Sequence, residues 1–215
     1  MPQIPEDAFG RTDEAPDEDF YRTPRLVTHI DEGAIAAVTQ LYRGLFPAGG
    51  EILDLMSSWV SHLPPEVIYR RVIGLGMNEV ELRRNPRLDS YVVQNLNTRP
   101  GLPFGEAEFD GAGICVSIDY LIRPVQVLRE VGRVLKPGAP LVVSFSNRCF
   151  PSKAIAIWHQ LDDQGHMRLV EDYFQGAGNF RNIRGLDRSP RRAFSDPLYA
   201  VVAESTGPYT GVLTG

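Results

Sequence analysis

Polar residues stand at the end of a short apolar run in the middle of the chain. The run at 112–118, AGICVSI, contains only small or apolar residues apart from Ser117, and it predicts a buried strand. Asp119 and Tyr120 follow at once. Ligands of open parallel sheets lie beyond the carboxyl ends of the strands, so we expect these residues to meet a cofactor or a substrate. Asp119 and Tyr120 are the catalytic candidates. Asp119 could act as a general base, or it could cap the next helix.

A second cluster of polar residues follows the segment Glu51–Leu55, which we predict to be another strand. It contains Ser57 and Ser58, three and four residues after Asp54. The two hydroxyls could bind a carboxylate, and both serines could start a helix. An ordinary strand-to-helix turn without a ligand is the alternative. No spacing of cysteines and histidines predicts a metal site.

The clearest signal for the fold that positions these residues lies at Arg129–Asn147. An amphipathic helix ends at Lys136-Pro137-Gly138, because proline and glycine cannot continue it. Leu141–Phe145 then forms a β-branched apolar run, which predicts a strand buried on both faces of a parallel sheet. The sequence therefore predicts an α/β fold.

The segment RVLKPGAPLVVSFSN (133–147) resembles the part of class I S-adenosylmethionine-dependent methyltransferases that joins the fourth helix to the fifth strand, usually RVLKPGG and an apolar strand. The resemblance extends over about 48–204. It implies a Rossmann-like three-layer sandwich, a seven-stranded, mostly parallel sheet with an antiparallel last strand. It also implies S-adenosyl-L-methionine as the cofactor and a small-molecule methyl acceptor. Such a reaction often needs positioning more than acid-base chemistry.

The resemblance also implies a set of cofactor residues, in which the family's motifs are altered. The acid after the first strand is retained as Asp54, but Met56, Ser58 and Val60 replace the usual glycines. Gly76 stands where the family has the acid that binds the ribose, although Asn78 or Glu79 could accept a hydroxyl or cap a helix instead. Asn95 takes the place of the aspartate near adenine, before Leu102-Pro103-Phe104. The cofactor candidates are Asp54, Met56, Ser57, Ser58, Gly76, Met77, Asn78, Asn95, Leu96 and Ser117.

Segments outside this core carry further candidates. We expect 1–19 to be a flexible acidic tail and 205–215 to be a loose tail. Residues 20–47 should form a helical lid, with a helix from Ile30 to Phe46, or simply fasten the chain to the core. A helical insertion at about 148–178 should contain helices near 154–160 and 165–175. The substrate candidates are Tyr21, His29, Tyr120 and Trp158, although residues such as His29 and Trp158 are more often structural.

The composition narrows the possible functions. The net charge of −5 over 215 residues provides no field that attracts phosphates, which argues against nucleic acid as a partner. Two cysteines suit a reducing compartment, and without a signal peptide or an apolar run of membrane-spanning length we expect a cytoplasmic location. Two alternatives to a methyltransferase are a catalytically silent relative that binds ligands or partners and a nicotinamide dehydrogenase. The dehydrogenase lacks its glycine fingerprint here.

Overall fold

A computed structural model describes residues 4–192 and 194–209. Seven strands form one sheet in the order β3-β2-β1-β4-β5-β7-β6. The strands are β1 Glu51–Leu55, β2 Arg71–Gly76, β3 Ser90–Val93, β4 Gly111–Cys115, β5 Pro140–Phe145, β6 Phe180–Asp187 and β7 Tyr199–Ser205. The helices are α1 Asp17–Phe20, α2 Glu32–Leu45, α3 Glu79–Arg84, α4 Pro124–Val134 and α5 Asp163–Ala177.

The expected sheet is confirmed. Strands β1 to β5 pair in parallel, and β7 pairs antiparallel with both β5 and β6. The order of the strands reverses between β1 and β4, because β1 leads outward to β2 and β3 while β4 leads to β5 on the other side. The carboxyl ends of β1 and β4 are therefore where a ligand site is expected.

Helices cover both faces of the sheet. On β1, Ile52 packs with residues of α2 on one face, while Leu53 and Leu55 face α4 and α5 on the other. This alternation follows from the period of two along a strand. Helix α2 begins where expected, because Asp31 Oδ1 accepts a hydrogen bond from the Ala34 amide (2.8 Å). None of the described helices combines the length and apolar character needed to cross a bilayer.

The segment between β1 and β2 corrects the prediction of a helix after the first strand. Residues 56–70 contain no helix. Asp54 Oδ2 accepts hydrogen bonds from the hydroxyls of Ser57 (2.5 Å) and Ser61, which holds the chain in a turn instead. Pro64 and Pro65 then remove two amide donors that a helix would need. The β1–β2 crossover is thus an irregular loop.

Four further expectations are corrected. The predicted helix at 154–160 is only a short 3₁₀ turn, Trp158–Gln160. Asp119 does not cap α4, because that helix begins at Pro124 with Arg123 as its N-cap. Residues 4–19 are not loose. Phe9 packs against the core, Arg11 bridges to Ile155, and Asp17 is buried. The tail predicted from 205 does not begin there, because Ser205 is buried as the last residue of β7. Residues 1–3 and 210–215 of the two predicted tails lie outside the described residues.

Candidate functional site

A cavity of about 890 Å³ lies at the carboxyl ends of β1 to β4. Its walls come from the residues that follow each of these strands, and the segment at 17–29 covers it together with Phe150. Most of the candidates from the sequence meet here. They are Tyr21, His29, Met56, Ser57, Ser58, Gly76, Met77, Asn78, Asn95, Leu96, Ser117 and Tyr120.

Asp54, Asp119 and Trp158 lie elsewhere, and so does Glu79, which is described below. Asp54 lines a smaller adjoining cavity of about 570 Å³, and burial raises the pKa of its carboxyl to about 6. Asp119 is buried and lines neither cavity. Trp158 packs in the core, where its ring stacks on His166 at a centroid distance of 3.9 Å. The structure therefore separates Asp119 and Trp158 from the residues around the cavity.

The loop after β1 keeps the backbone path of a glycine without the glycine. Met56 has φ = +56°, in the left-handed region that residues other than glycine rarely adopt. The Ser57 amide then donates to the Leu75 carbonyl (2.8 Å), which continues the contact between the β1 and β2 edges past the strand end. Met56 lines both cavities, and Trp59 lines only the smaller one. Neither side chain fills the larger cavity.

Gly76 has a steric reason to be glycine. A Cβ atom built on it would lie 2.1 Å from the carbonyl oxygen of Ser57, which is far closer than real Cβ contacts allow. The altered loop after β1 and the missing acid after β2 are therefore one structural change. As long as Ser57 holds this position, no side chain can occupy position 76.

The amides near Gly76 and β3 hold the N-terminal segment. Asn78 caps α3 by accepting from the Glu81 amide (3.2 Å), and its Nδ2 donates to the carbonyls of Tyr21 (2.8 Å) and Arg22 (3.1 Å). Asn95 Nδ2 donates to the Glu18 carboxylate (2.8 Å). The side-chain amides of Asn78 and Asn95 are thus already hydrogen-bonded within the protein, so in this structure these groups stabilise the fold.

Glu79, the other candidate to accept a ribose hydroxyl, does not line the cavity. It pairs with Arg83 at 2.9 Å on the exposed face of α3. Its position corrects the prediction that it lies within reach of a ligand.

The end of β4 is strained and polar. Val116 has φ = +50°, which is an outlier for a β-branched residue, and it lines both cavities. Next to it, the Ser117 hydroxyl is buried without a hydrogen-bond partner in the described residues. Burial also raises the pKa of the Asp119 carboxyl to about 7. This group faces the protein interior and not the cavity. Strain of this kind is common at functional sites.

Several lining residues were not predicted from the sequence, namely Asp17, Arg25, Glu81, Gln94, Asn97 and Phe150. Gln94 directly follows β3, so a polar residue at the end of a β-branched run was an available signal. Its Nε2 donates to the carbonyls of Arg99 and Gly101 (2.8 Å each), whereas its Oε1 has no partner in the described chain. Arg25 belongs to the aromatic and cationic stretch FYRTPR, and its guanidinium lies 4.4 Å from the Phe20 ring centroid.

Comparisons with known proteins agree with this fold. Residues 58–143 match the family model of a methyltransferase domain. A demethylmenaquinone methyltransferase of Paenarthrobacter aurescens (strain TC1) is 32% identical over 97 residues, which are 45% of this chain and 35% of that protein. The chain thus spans about a third of the length of this relative.

Solved structures share the architecture at low identity. The [4+2]-cyclase SpnF matches with a TM-score of 0.61 and 15% identity over 88% of this chain and 92% of its own. Phosphoethanolamine N-methyltransferase 2 of Haemonchus contortus, in complex with S-adenosyl-L-methionine, matches with a TM-score of 0.57 and 13% identity over 81% of this chain and 52% of its own.

The match to the methyltransferase family model over residues 58–143 and the shared fold make this chain similar to the class I S-adenosylmethionine-dependent methyltransferase superfamily. Methyltransferases of this superfamily use S-adenosylmethionine as their methyl donor. In this chain, the cavity at the ends of β1 to β4 lies at the switch point of the sheet. The altered motif positions noted in the sequence lie in the loop after β1 (Met56, Ser58 and Val60), at Gly76 after β2 and at Asn95 after β3.

Proposed function

We propose that this protein transfers a methyl group from S-adenosylmethionine to a small-molecule acceptor and that the larger cavity holds the donor. The observation that carries the proposal is the position of this cavity beyond the ends of β1 and β4, where the strand order reverses. The donor supplies a methyl carbon that its sulfonium charge has already activated.

The residues present suit such a ligand despite the altered motifs. Leu96 and Met77 offer apolar surface between β2 and β3 for a purine ring. Ser58 and Ser117 place hydroxyls in the cavity wall, and the backbone of Met56 follows the path that a glycine would take. The contribution of the protein is to bind and align the two reactants, which accounts for much of the acceleration in reactions of this kind.

A ligand-binding protein without methyl transfer is the second candidate. One observation favours it: the Ser57 carbonyl excludes any side chain at position 76, so the carboxylate that usually binds the ribose is absent. In that case the same cavity would bind an adenosyl ligand more weakly, or a different small molecule.

Calorimetric titration with S-adenosylhomocysteine and S-adenosylmethionine tests the proposal. We expect saturable binding, and at about 100 times Kd the ligand should stabilise the fold by about 2.7 kcal/mol. For a chain of this size that corresponds to a rise in Tm of about 5–10 °C. Ser117→Leu, which places a larger side chain beside the cavity, should weaken binding, while Ser90→Leu on the exposed start of β3 should not.

The absence of binding at millimolar ligand would reject the proposal. Binding without release of S-adenosylhomocysteine, over a panel of amines, phenols and carboxylic acids, would favour the second candidate instead.

A further inference from the structure

The smaller cavity adjoins the larger one at a shared wall. Six residues line both: His29, Met56, Ser57, Ser58, Cys115 and Val116. The segment Val27–Ile30 closes the smaller cavity on one side and the loop after β1 closes it on the other. Two ligands in these cavities would therefore meet across the ends of β1 and β4.

The smaller cavity has an acidic group and no basic side chain apart from two histidines. Asp54 is its single carboxylate, and no lysine or arginine lines it. Asp54 Oδ2 accepts from Ser57 and Ser61, while Oδ1 takes part in no hydrogen bond among the described residues. This charge pattern favours a cationic group over a carboxylate or a phosphate.

Two aromatic residues add to this picture. Tyr42 lines the same cavity and is 3% exposed, and its hydroxyl lies close to the side chains of Cys115 and Ser144. Trp59 also lines the cavity, with its Nε1 donating to the Val27 carbonyl (3.0 Å). Indole is the ring that attracts cations most strongly.

His29 stands at the junction of the two cavities with its ring nitrogens uncommitted. The described residues give its ring no hydrogen bond, and its ring contacts the Phe150 ring edge-on, with the centroids 5.2 Å apart. Burial lowers the pKa of His29, a nearby Arg25 acts in the same direction, and Glu81 opposes them. The imidazole is therefore neutral near pH 7 and can accept a proton.

We propose that the smaller cavity is the methyl-acceptor site, that it takes a small amine held by Asp54, and that His29 accepts the amine's proton. The inference rests on the proposed function, because it places the donor in the larger cavity. The ammonium group gives one proton to His29. The lone pair that this frees on the nitrogen forms the bond to the methyl carbon as the carbon–sulfur bond breaks. The electron pair of that bond stays on sulfur, which becomes a neutral thioether.

Binding of three probes of similar shape tests the inference: benzylamine, benzyl alcohol and benzoate. Each is titrated into the protein by calorimetry, with and without S-adenosylhomocysteine. We expect benzylamine to bind at least about tenfold more tightly than the other two, because only it carries a positive charge. NMR spectra of the histidine ring protons should show His29 shifting on addition of benzylamine, assigned by comparison with His29→Gln.

Two variants separate the charge from the fold. Asp54→Asn keeps an oxygen that can accept from Ser57 and Ser61 but removes the charge, and it should lower benzylamine affinity by about tenfold or more. Asp172→Asn makes the same change on α5, outside both cavities, and should leave binding unchanged. Thermal unfolding of both variants checks that they fold.

The outcomes are distinct. Equal binding of benzyl alcohol and benzylamine, with no effect of Asp54→Asn, would overturn the amine inference in favour of a hydroxyl acceptor. An unchanged His29 signal during saturating benzylamine binding would place the amine elsewhere and also overturn it. S-adenosylhomocysteine binding without amine binding would overturn the acceptor site alone and leave the proposed function standing, whereas the failure of S-adenosylhomocysteine to bind counts against the proposed function itself.

Discussion

Any side chain at position 76, including the acid that the superfamily usually has after β2, should lower the free energy of unfolding of this protein. A Cβ atom at position 76 would lie 2.1 Å from the Ser57 carbonyl oxygen, and Ser57 is itself held by its amide bond to the Leu75 carbonyl at 2.8 Å. Gly76→Ala must therefore displace backbone, not the flexible end of a side chain. Overpacking of this kind costs about 1–3 kcal/mol, and the loss of the Ser57 amide bond adds about 1 kcal/mol.

The summed cost of about 2–4 kcal/mol should lower Tm by about 5–15 °C in a chain of this length. Urea unfolding followed by far-ultraviolet circular dichroism measures it. Gly44→Ala is the matched control, because Gly44 lies in α2 with nothing within 4 Å of an added Cβ. That substitution should stabilise the protein by up to about 1 kcal/mol, since alanine favours a helix over glycine.

The same experiment extends to ligand binding. Gly76→Asp restores the carboxylate that usually binds a ribose, yet we expect it to weaken S-adenosylhomocysteine binding because the β1 loop must move. If Gly76→Asp unfolded at the wild-type denaturant concentration and bound the ligand more tightly, the steric argument for Gly76 would be refuted.

Two further predictions concern buried charges. Burial raises the pKa of Asp119 from 3.8 to about 7, so the folded protein binds this proton more tightly than the unfolded chain does. Stability should therefore fall as the pH rises from about 4 to about 7. Asp119→Asn should reduce that slope in urea unfolding, with part of it left because Asp54 titrates as well; identical pH profiles would contradict this. Lys153 is fully buried, and its Nζ donates to the carbonyls of Asp13 (3.1 Å) and Ala15 (2.7 Å). Lys153→Met should cost about 3 kcal/mol and speed tryptic cleavage near the N-terminus, while Lys136→Met, which breaks a half-exposed pair, should cost at most about 1 kcal/mol. Equal cleavage rates would show that Lys153 does not hold this segment.

The sequence predicted the parts of the fold that local chemistry determines. Lys136-Pro137-Gly138 marked the end of α4 and the start of β5 within one or two residues, because proline and glycine act on the backbone beside them. The helix predicted from Ile30 to Phe46 is α2 within two residues at each end, because the helical spacing of its apolar residues is also a local pattern. The family resemblance supplied the seven-stranded, mostly parallel sheet with its antiparallel last strand, which no local pattern contains.

The candidate site was predicted only in outline, because its contacts join distant parts of the chain. The resemblance placed Asn78 and Asn95 near a ligand, but it could not show that Tyr21, Arg22 and Glu18 take up their amide groups. The absence of a helix after β1 was missed for a related reason. The serines at that position can start a helix, and only their contacts with Asp54 decide that they form a turn.

The departures of this chain from the superfamily motifs depend on one another. Without a helix after β1, Ser57 continues the pairing with β2, and its carbonyl then excludes a side chain at position 76. The carboxylate of Glu81 meets this loop, where Oε2 accepts from the Ser58 hydroxyl (2.6 Å) and Oε1 accepts from the Arg25 amide (2.7 Å). The loop, the start of α3 and the N-terminal segment are therefore fastened together around the cavity. A single substitution toward the usual motif breaks this arrangement, so we expect the binding of an adenosyl ligand to improve only when the loop and position 76 are exchanged together.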